Sequence, residues 1–160
     1  MAEEGVLGLE LLLRRLTEAS DELTSSLGDE FIGLMLFGSW ARGEAKADSD
    51  VDLLIVLRSM GGMDTRSRIY KTLSKHVRRP ITLIDMRLER LLDEELELTP
   101  LLINVLADGI IVRDDEGYLR DFLERGRRLL EEAELVRYRT PDGKYGWRRR
   151  DGKPIAPTRI

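Results

Sequence analysis

The sequence predicts an α/β fold in which a small β-sheet is covered by helices. Two short apolar runs, Phe31–Phe37 and Val51–Leu57, have the length and composition of buried strands. Before them, leucines recur at helical spacing from about residue 6 to residue 27, which predicts a first helix that packs on the sheet. A chain of 160 residues with 42% hydrophobic content is long enough to form one domain with its own core.

The remaining elements follow in order along the chain. A glycine-containing loop at 59–65 precedes a predicted helix at 65–76, and the apolar segment 79–86 predicts a third strand. Helices are then expected within 87–106, a strand at 109–112 and a long helix at 115–136.

The composition changes at residue 137. From there to the end, eight Lys or Arg residues stand against two Asp, whereas the whole chain has a net charge of −4. We therefore divide the chain into a domain at 1–136 and a basic C-terminal arm at 137–160. Turn signals at 141–144 and 150–153 predict that this arm forms a hairpin or an ordered extension.

The segment between the first two strands contains the residues that indicate chemistry. Gly38 and Ser39 directly follow the first strand, and Asp50 and Asp52 lie at the start of the second. Glycine lets the backbone approach a ligand closely, and the serine hydroxyl can donate a hydrogen bond to a phosphate oxygen. Because side chains alternate along a strand, the two aspartates are expected to project to the same side.

Two carboxylates held this close repel each other, and a bound cation would remove that cost. Oxygen ligands with no Cys or His nearby select a hard ion, which is Mg²⁺ in the first instance, with Mn²⁺ as a substitute. A Gly-Ser pair alone is an ordinary turn, and Asp-x-Asp alone is an ordinary strand end. Their combination at this spacing favours a site for a triphosphate and a divalent metal.

The segment GSWARGEAKADSDVDLLIV resembles the signature of the DNA polymerase beta nucleotidyltransferase superfamily, and in particular its small members, the minimal nucleotidyltransferases. The resemblance implies a polymerase-beta-type fold with a small mixed sheet flanked by helices. It also implies transfer of a nucleoside monophosphate, AMP from ATP in the first instance, to an acceptor hydroxyl with release of pyrophosphate. Two Mg²⁺ ions are the implied cofactors.

The family pattern implies three catalytic, metal-binding carboxylates: Asp50, Asp52 and a third on an adjacent strand, for which Asp85 is the candidate. The alternative role of Asp85 is to cap the helix predicted at 87–92. The same pattern makes Gly38, Ser39 and Arg42 the candidate nucleotide-binding residues. Arg42 would either contact a phosphate or brace the loop that carries the aspartates.

Partners follow from the resemblance and from the arm. Minimal nucleotidyltransferases are commonly paired with a HEPN-domain ribonuclease toxin, which they neutralise by binding it or by adding AMP to it, so such a toxin is an implied partner. The alternative function is a partner-binding antitoxin or scaffold with weak or no catalysis. The basic arm could bind RNA, or it could pack on the acidic body of its own or a neighbouring subunit in an oligomer.

The composition also predicts a location. Cysteine is absent, and the sequence contains no apolar run that approaches the roughly 20 residues needed to cross a bilayer. The N-terminal segment lacks the pattern of a signal peptide. We therefore expect a cytoplasmic protein without membrane contact.

Overall fold

The computed structural model describes residues 8–59 and 61–155, so the predicted helix start at residue 6 and the last five residues of the arm lie outside the described residues. In chain order the helices are α1 Leu9–Leu27, α2 Gly38–Arg42, α3 Met63–Val77, α4 Leu88–Leu91, α5 Pro100–Asp108 and α6 Tyr118–Glu132. The strands are β1 Phe31–Phe37, β2 Val51–Leu57, β3 Ile81–Arg87, β4 Ile110–Arg113, β5 Leu135–Arg139 and β6 Tyr145–Arg149. A short 3-10 helix, Gly28–Glu30, connects α1 to β1.

The main sheet has the strand order β3-β2-β1-β4 and is mixed. Strand β1 is antiparallel to both β2 and β4, whereas β2 and β3 are parallel. Parallel neighbours need a crossover connection, which α3 provides between β2 and β3. The predicted small mixed sheet flanked by helices is confirmed.

Both faces of the sheet are covered, which explains why β1 is apolar at every position. Leu34 and Leu36 pack in the core that includes α1 and α3, and Met35 and Phe37 pack in the core that includes α4, α5 and α6. We call these the α1/α3 face and the α5/α6 face. The polar residues at the strand ends therefore belong to one face or the other according to their position along the strand.

Strands β5 and β6 form a separate antiparallel hairpin, which we call the C-terminal hairpin. Gly143 in its turn has a φ of 85°, a conformation that favours glycine. Leu135 and Trp147 pack against the α5/α6 core, so the hairpin lies on the body of the protein. The division between a domain at 1–136 and an arm stays a prediction. Within the described part of the chain, no helix combines the length and the apolar character needed to span a membrane.

Candidate active site

Gly38 places the turn after β1 directly against a carboxylate. It is buried and has a φ of 77°, in the left-handed region that favours glycine. A Cβ atom built on Gly38 would lie only 2.0 Å from Oδ2 of Asp52. The lack of a side chain therefore allows the backbone to approach Asp52, while Ser39 begins to turn the chain into α2.

The loop that leads to Asp50 is held by two side chains. The indole Nε1 of Trp40 donates to the carbonyl oxygen of Ser49 at 3.2 Å. Nη1 of Arg79 donates to the carbonyl oxygen of Ala47 at 2.8 Å, and its guanidinium lies 5.2 Å from the centre of the Trp40 ring. Trp40 is thus a buried anchor for the loop that carries Asp50 into β2.

The Asp52 carboxylate is partly buried and lies close enough to Asp50 to be affected by its charge. Burial raises the pKa of Asp52, and the neighbouring charge of Asp50 raises it further, whereas Arg42 and a hydrogen bond from Thr82 act in the opposite direction. The Thr82 hydroxyl also donates to Oδ2 of Asp50 at 3.2 Å. The two carboxylates therefore share one polar neighbour and carry a charge cost that a cation would relieve.

The donor set of this pair fits a divalent metal that is completed by substrate. Among the described residues, no group of three or more His, Cys, Asp or Glu side chains could hold a metal ion. Mg²⁺ is commonly bound by one or two carboxylates together with substrate phosphates and water, which is the set that Asp50, Asp52 and a triphosphate would supply.

Asp85 lies on the other face of the sheet. In the β2–β3 register, Asp52 is beside Thr82 and Ile55 is beside Asp85. Ile55 packs in the core of the α1/α3 face, so Asp85 projects to that face, where its carboxylate pairs with Arg66 of α3. The structure therefore does not bring Asp85 to the other two aspartates, and the β3 residue beside Asp52 is Thr82.

The capping alternative for Asp85 is wrong. The N-cap residue of α4 is Arg87, and no side chain caps this helix. The strand continues through Asp85 to Arg87 before α4 begins, so Asp85 lies two residues before the cap position. Its carboxylate is instead used in the ion pair with α3.

Arg42 braces the site. Its Nη1 donates to Oδ2 of Asp108 at 2.9 Å and its Nε to Oε2 of Glu44 at 3.3 Å, while the guanidinium lies 4.8 Å from the centre of the Tyr145 ring. Burial acts against the charge, but the hydrogen bonds to both carboxylates outweigh it and the pKa of Arg42 is raised. Of the two predicted roles, the structure shows bracing; contact with a phosphate stays a prediction.

A cavity of about 540 Å³ brings these elements together. Its walls come from the turn after β1, the ends of β2 and β3, helix α5 and the turn of the C-terminal hairpin. Its lining includes Gly38, Ser39, Asp52, Thr82, Asn104 and Lys144. A volume of this size is typical of small-molecule sites.

Sequence reasoning missed Thr82, Asn104, Lys144 and Tyr145 as residues of this cavity. Lys144 and Tyr145 follow a predicted turn, and Asn104 is the sole asparagine of the chain. These signals show that the residues are unusual or exposed, but they do not indicate which part of the fold the residues approach. Only the tertiary structure brings them to the same cavity as Asp52.

A Gly-Ser turn packed against Asp52, where the inner strands β1 and β2 of a mixed sheet meet, is the arrangement that the nucleotidyltransferase resemblance predicts. Residues 23–112 match the model of the family described as Polymerase beta, Nucleotidyltransferase, which is more than half of the chain. The chain therefore belongs to this family and is a nucleotidyltransferase, as the resemblance implied.

A relative from Methanocaldococcus jannaschii, "Putative protein adenylyltransferase MJ1305", is 29% identical over 128 residues, which cover 76% of this chain and 84% of the relative. Two solved structures are similar in fold. One is described as a toxin-antitoxin with AMP-PNP (TM-score 0.50, 15% identity, 72% of this chain and 87% of that chain). The other is a mutant of the toxin-antitoxin MntA-HpeT (TM-score 0.51, 14% identity, with the same coverage of both chains). At these identities the two structures show the fold alone.

Proposed function

We propose that this protein transfers AMP from ATP to the hydroxyl group of a protein side chain, with Mg²⁺ as cofactor and pyrophosphate as the second product. The observation that carries the proposal is that the Gly38–Ser39 turn lies against the Asp52 carboxylate at the wall of a cavity large enough for a nucleotide. The name of the relative from M. jannaschii supports AMP as the transferred group and a protein as the acceptor.

The residues of the site have distinct roles in this reaction. Asp50 and Asp52 would hold Mg²⁺, and Mn²⁺ could replace this ion. With the phosphates of the nucleotide as further ligands, the site would hold two such ions. Bound metal supplies polarisation of the phosphoryl oxygens and lowers the pKa of the acceptor hydroxyl. The Ser39 hydroxyl donates to a phosphate oxygen, and Thr82 keeps the Asp50 carboxylate in place.

The bonds exchanged in the transfer are simple. The acceptor oxygen forms a bond to the α-phosphorus, the bond from that phosphorus to the pyrophosphate oxygen breaks, and the hydroxyl proton is released to solvent. Because Asp85 faces α3, the proposal assigns this chemistry to Asp50 and Asp52.

The acceptor that the proposal favours is a HEPN-type toxin, as the family resemblance implies. Partner binding with weak or no catalysis is the second candidate function, because a threonine, Thr82, and not a carboxylate lies beside Asp52. RNA binding by residues 137–160, an oligomeric state and a cytoplasmic location stay predictions.

The test is transfer of label from α-labelled ATP, with Mg²⁺, to a purified HEPN-type toxin and to protein fractions of a lysate. We expect the wild-type protein to label one protein, and a variant that combines Asp50→Asn with Asp52→Asn to label none. Asp85→Asn is the control, since it makes the same kind of substitution at an aspartate on the other face and should keep most of the activity. Failure of the folded wild-type protein to transfer label from any of the four nucleoside triphosphates would contradict the proposal.

A further inference from the structure

The C-terminal hairpin forms part of the cavity that contains Asp52. Gly143, Lys144 and Tyr145, which form its turn and the start of β6, line the same cavity as Gly38 and Asp52. The hairpin lies outside residues 23–112, so the match to the family model assigns it no role. Its place at the cavity therefore requires an explanation from the structure itself.

The hairpin is held on the body by specific contacts. Both terminal nitrogens of Arg137 donate to Asp108, at 2.7 and 3.0 Å, and the Asp108 side chain is only 4% exposed. The Tyr145 hydroxyl donates to Oε2 of Glu44 at 2.8 Å. Nε1 of Trp147 donates to Oδ1 of the Asn104 side chain on α5, also at 2.8 Å. These contacts fix the strands of the hairpin, and with them the position of its turn.

The turn itself is ordered by its own hydrogen bonds. The amide of Thr140 donates to the carbonyl oxygen of Lys144 at 2.8 Å, and the amide of Lys144 donates to the Thr140 hydroxyl at 3.1 Å. The backbone of Lys144 is thus constrained, while its side chain is exposed to solvent at the cavity wall. A cation on a fixed backbone loses less entropy on binding a ligand than one on a mobile loop.

Lys144 differs in its charge balance from Arg42, which also lines the cavity. Arg42 is neutralised by Asp108 and Glu44, and Arg137 shares the same Asp108. Within residues 8–59 and 61–155, the Lys144 ammonium has no ion-pair partner within 4 Å. Of the cationic residues among the described lining of the cavity, Arg42 is paired with carboxylates and Lys144 is not.

The expected ligand needs such a charge. A triphosphate carries more negative charge than the metal ions held by two carboxylates can neutralise, and most of it lies on the β- and γ-phosphates. An ammonium group pairs well with phosphate oxygens, and a cation placed there also stabilises the charge that develops on the leaving pyrophosphate.

We propose that the C-terminal hairpin completes the nucleotide site and that Lys144 binds the β- and γ-phosphates of the nucleoside triphosphate. This inference rests on the proposed function, because it requires that the cavity binds a triphosphate. It adds to that function a specificity-determining residue from an element outside the matched family region.

The experiment is a calorimetric titration of the full chain with a non-hydrolysable ATP analogue and with AMP, both with Mg²⁺. We expect Lys144→Ala to weaken binding of the triphosphate about tenfold, the loss typical of one charge-assisted hydrogen bond, and to change AMP binding by less than about twofold. Lys144→Arg should restore most of the triphosphate affinity. Lys153→Ala is the matched control, because Lys153 belongs to the same basic arm and does not line the cavity.

The outcomes separate this inference from the proposed function. If the wild-type protein binds the triphosphate analogue and Lys144→Ala binds it equally well, the inference is wrong and the proposed function stands. Equal losses for the triphosphate and AMP in a variant with an unchanged melting temperature would also overturn it, because Lys144 would then act on the nucleoside or α-phosphate. If the wild-type protein binds no triphosphate, both proposals fail.

Discussion

Replacing Gly38 by alanine tests how closely the turn after β1 must approach Asp52. The new Cβ atom would lie 2.0 Å from Oδ2 of Asp52, more than an ångström inside ordinary van der Waals contact. The Asp52 carboxyl carbon is at 2.9 Å from the same point, so rotation of the carboxylate alone does not remove the overlap. Either Asp52 or the backbone of the turn must move.

Two separate costs follow from this geometry. The backbone cost arises because Gly38 has a φ of 77°, and an alanine in the left-handed region is destabilised by about 1–2 kcal/mol. The functional cost arises because a catalytic group displaced by about 1 Å loses on the order of 100-fold in rate. We therefore expect Gly38→Ala to lower both the free energy of unfolding and the rate of transfer.

Gly43 offers a matched control. It has a φ of 75°, close to that of Gly38, but a Cβ atom built on it meets nothing within 4 Å. Gly43→Ala should therefore show the backbone cost of about 1–2 kcal/mol without displacing Asp52. The stability of both variants is measured by urea denaturation, and activity by transfer of label from α-labelled ATP.

Comparing the two glycine variants separates the effect of the contact with Asp52 from the effect of the backbone penalty. A rate for Gly38→Ala within a few-fold of that for Gly43→Ala would refute the reasoning, because the two variants share the backbone penalty. The same holds if Gly38→Ala binds Mg²⁺ as tightly as the wild-type protein. A large rate loss confined to Gly38→Ala would show that contact with Asp52 is what the glycine provides.

Two further predictions follow from charge. The pKa of Asp52 is higher in the folded than in the unfolded protein, so the folded wild-type protein loses stability as the pH rises and Asp52 becomes charged. Asp52→Asn removes this loss and should therefore raise the melting temperature at neutral pH in the absence of Mg²⁺. The gain should vanish below about pH 4, where the aspartate of the unfolded protein is itself protonated. Added Mg²⁺ should stabilise the wild-type protein more than the variant. Thermal denaturation across pH, with EDTA or with Mg²⁺, measures both effects. Asp108→Ala should lower the free energy of unfolding by about 3 kcal/mol, because it leaves Arg42 and Arg137 without their buried partner. Asp115→Ala breaks an exposed ion pair and should lower the free energy of unfolding by less than about 1 kcal/mol. Equal losses in urea denaturation would contradict the distinction.

The strands and the aspartate pair could be predicted because their signals are local. Strands β1 and β2 have the predicted bounds, since each is a continuous apolar run between polar residues. The proximity of Asp50 and Asp52 requires only the alternation of side chains within one strand. The turn at Gly38 follows from the same local pattern, because glycine is needed where φ is positive.

The face of Asp85 could not be predicted, because it depends on how two strands align. Along β3 both alternating series contain apolar residues, with Leu83 and Asp85 on one face and Ile84 and Met86 on the other, so the pattern does not distinguish them. The register becomes known only once Asp52 is seen beside a particular residue of β3. An error of one residue in that alignment moves a side chain to the opposite face.

The role of the C-terminal hairpin was equally beyond sequence reasoning. Its turn signals are local, but the acceptors that hold it, Glu44 and Asp108, lie far from it in the chain. A basic segment at the end of an acidic protein is compatible with nucleic-acid binding or with packing on the body, and composition does not separate the two. The structure shows the second arrangement for the hairpin strands.

Asp108 links helix α2, which contains the Gly38–Ser39 turn, to the hairpin. It is almost fully buried at the end of α5 and accepts hydrogen bonds from Arg42, which follows the Gly38–Ser39 turn, and from Arg137, which lies in β5 of the hairpin. Oδ2 of Asp108 accepts from both arginines, so the loss of either one would remove part of the hydrogen bonding of a buried carboxylate. A change that loosens the hairpin should therefore also disturb Arg42, and through it the electrostatic surroundings of Asp52, because the charge of Arg42 opposes the rise in the Asp52 pKa. The hairpin thus acts on the site in two ways, through the Lys144 side chain at the cavity and through the carboxylate that it shares with the turn.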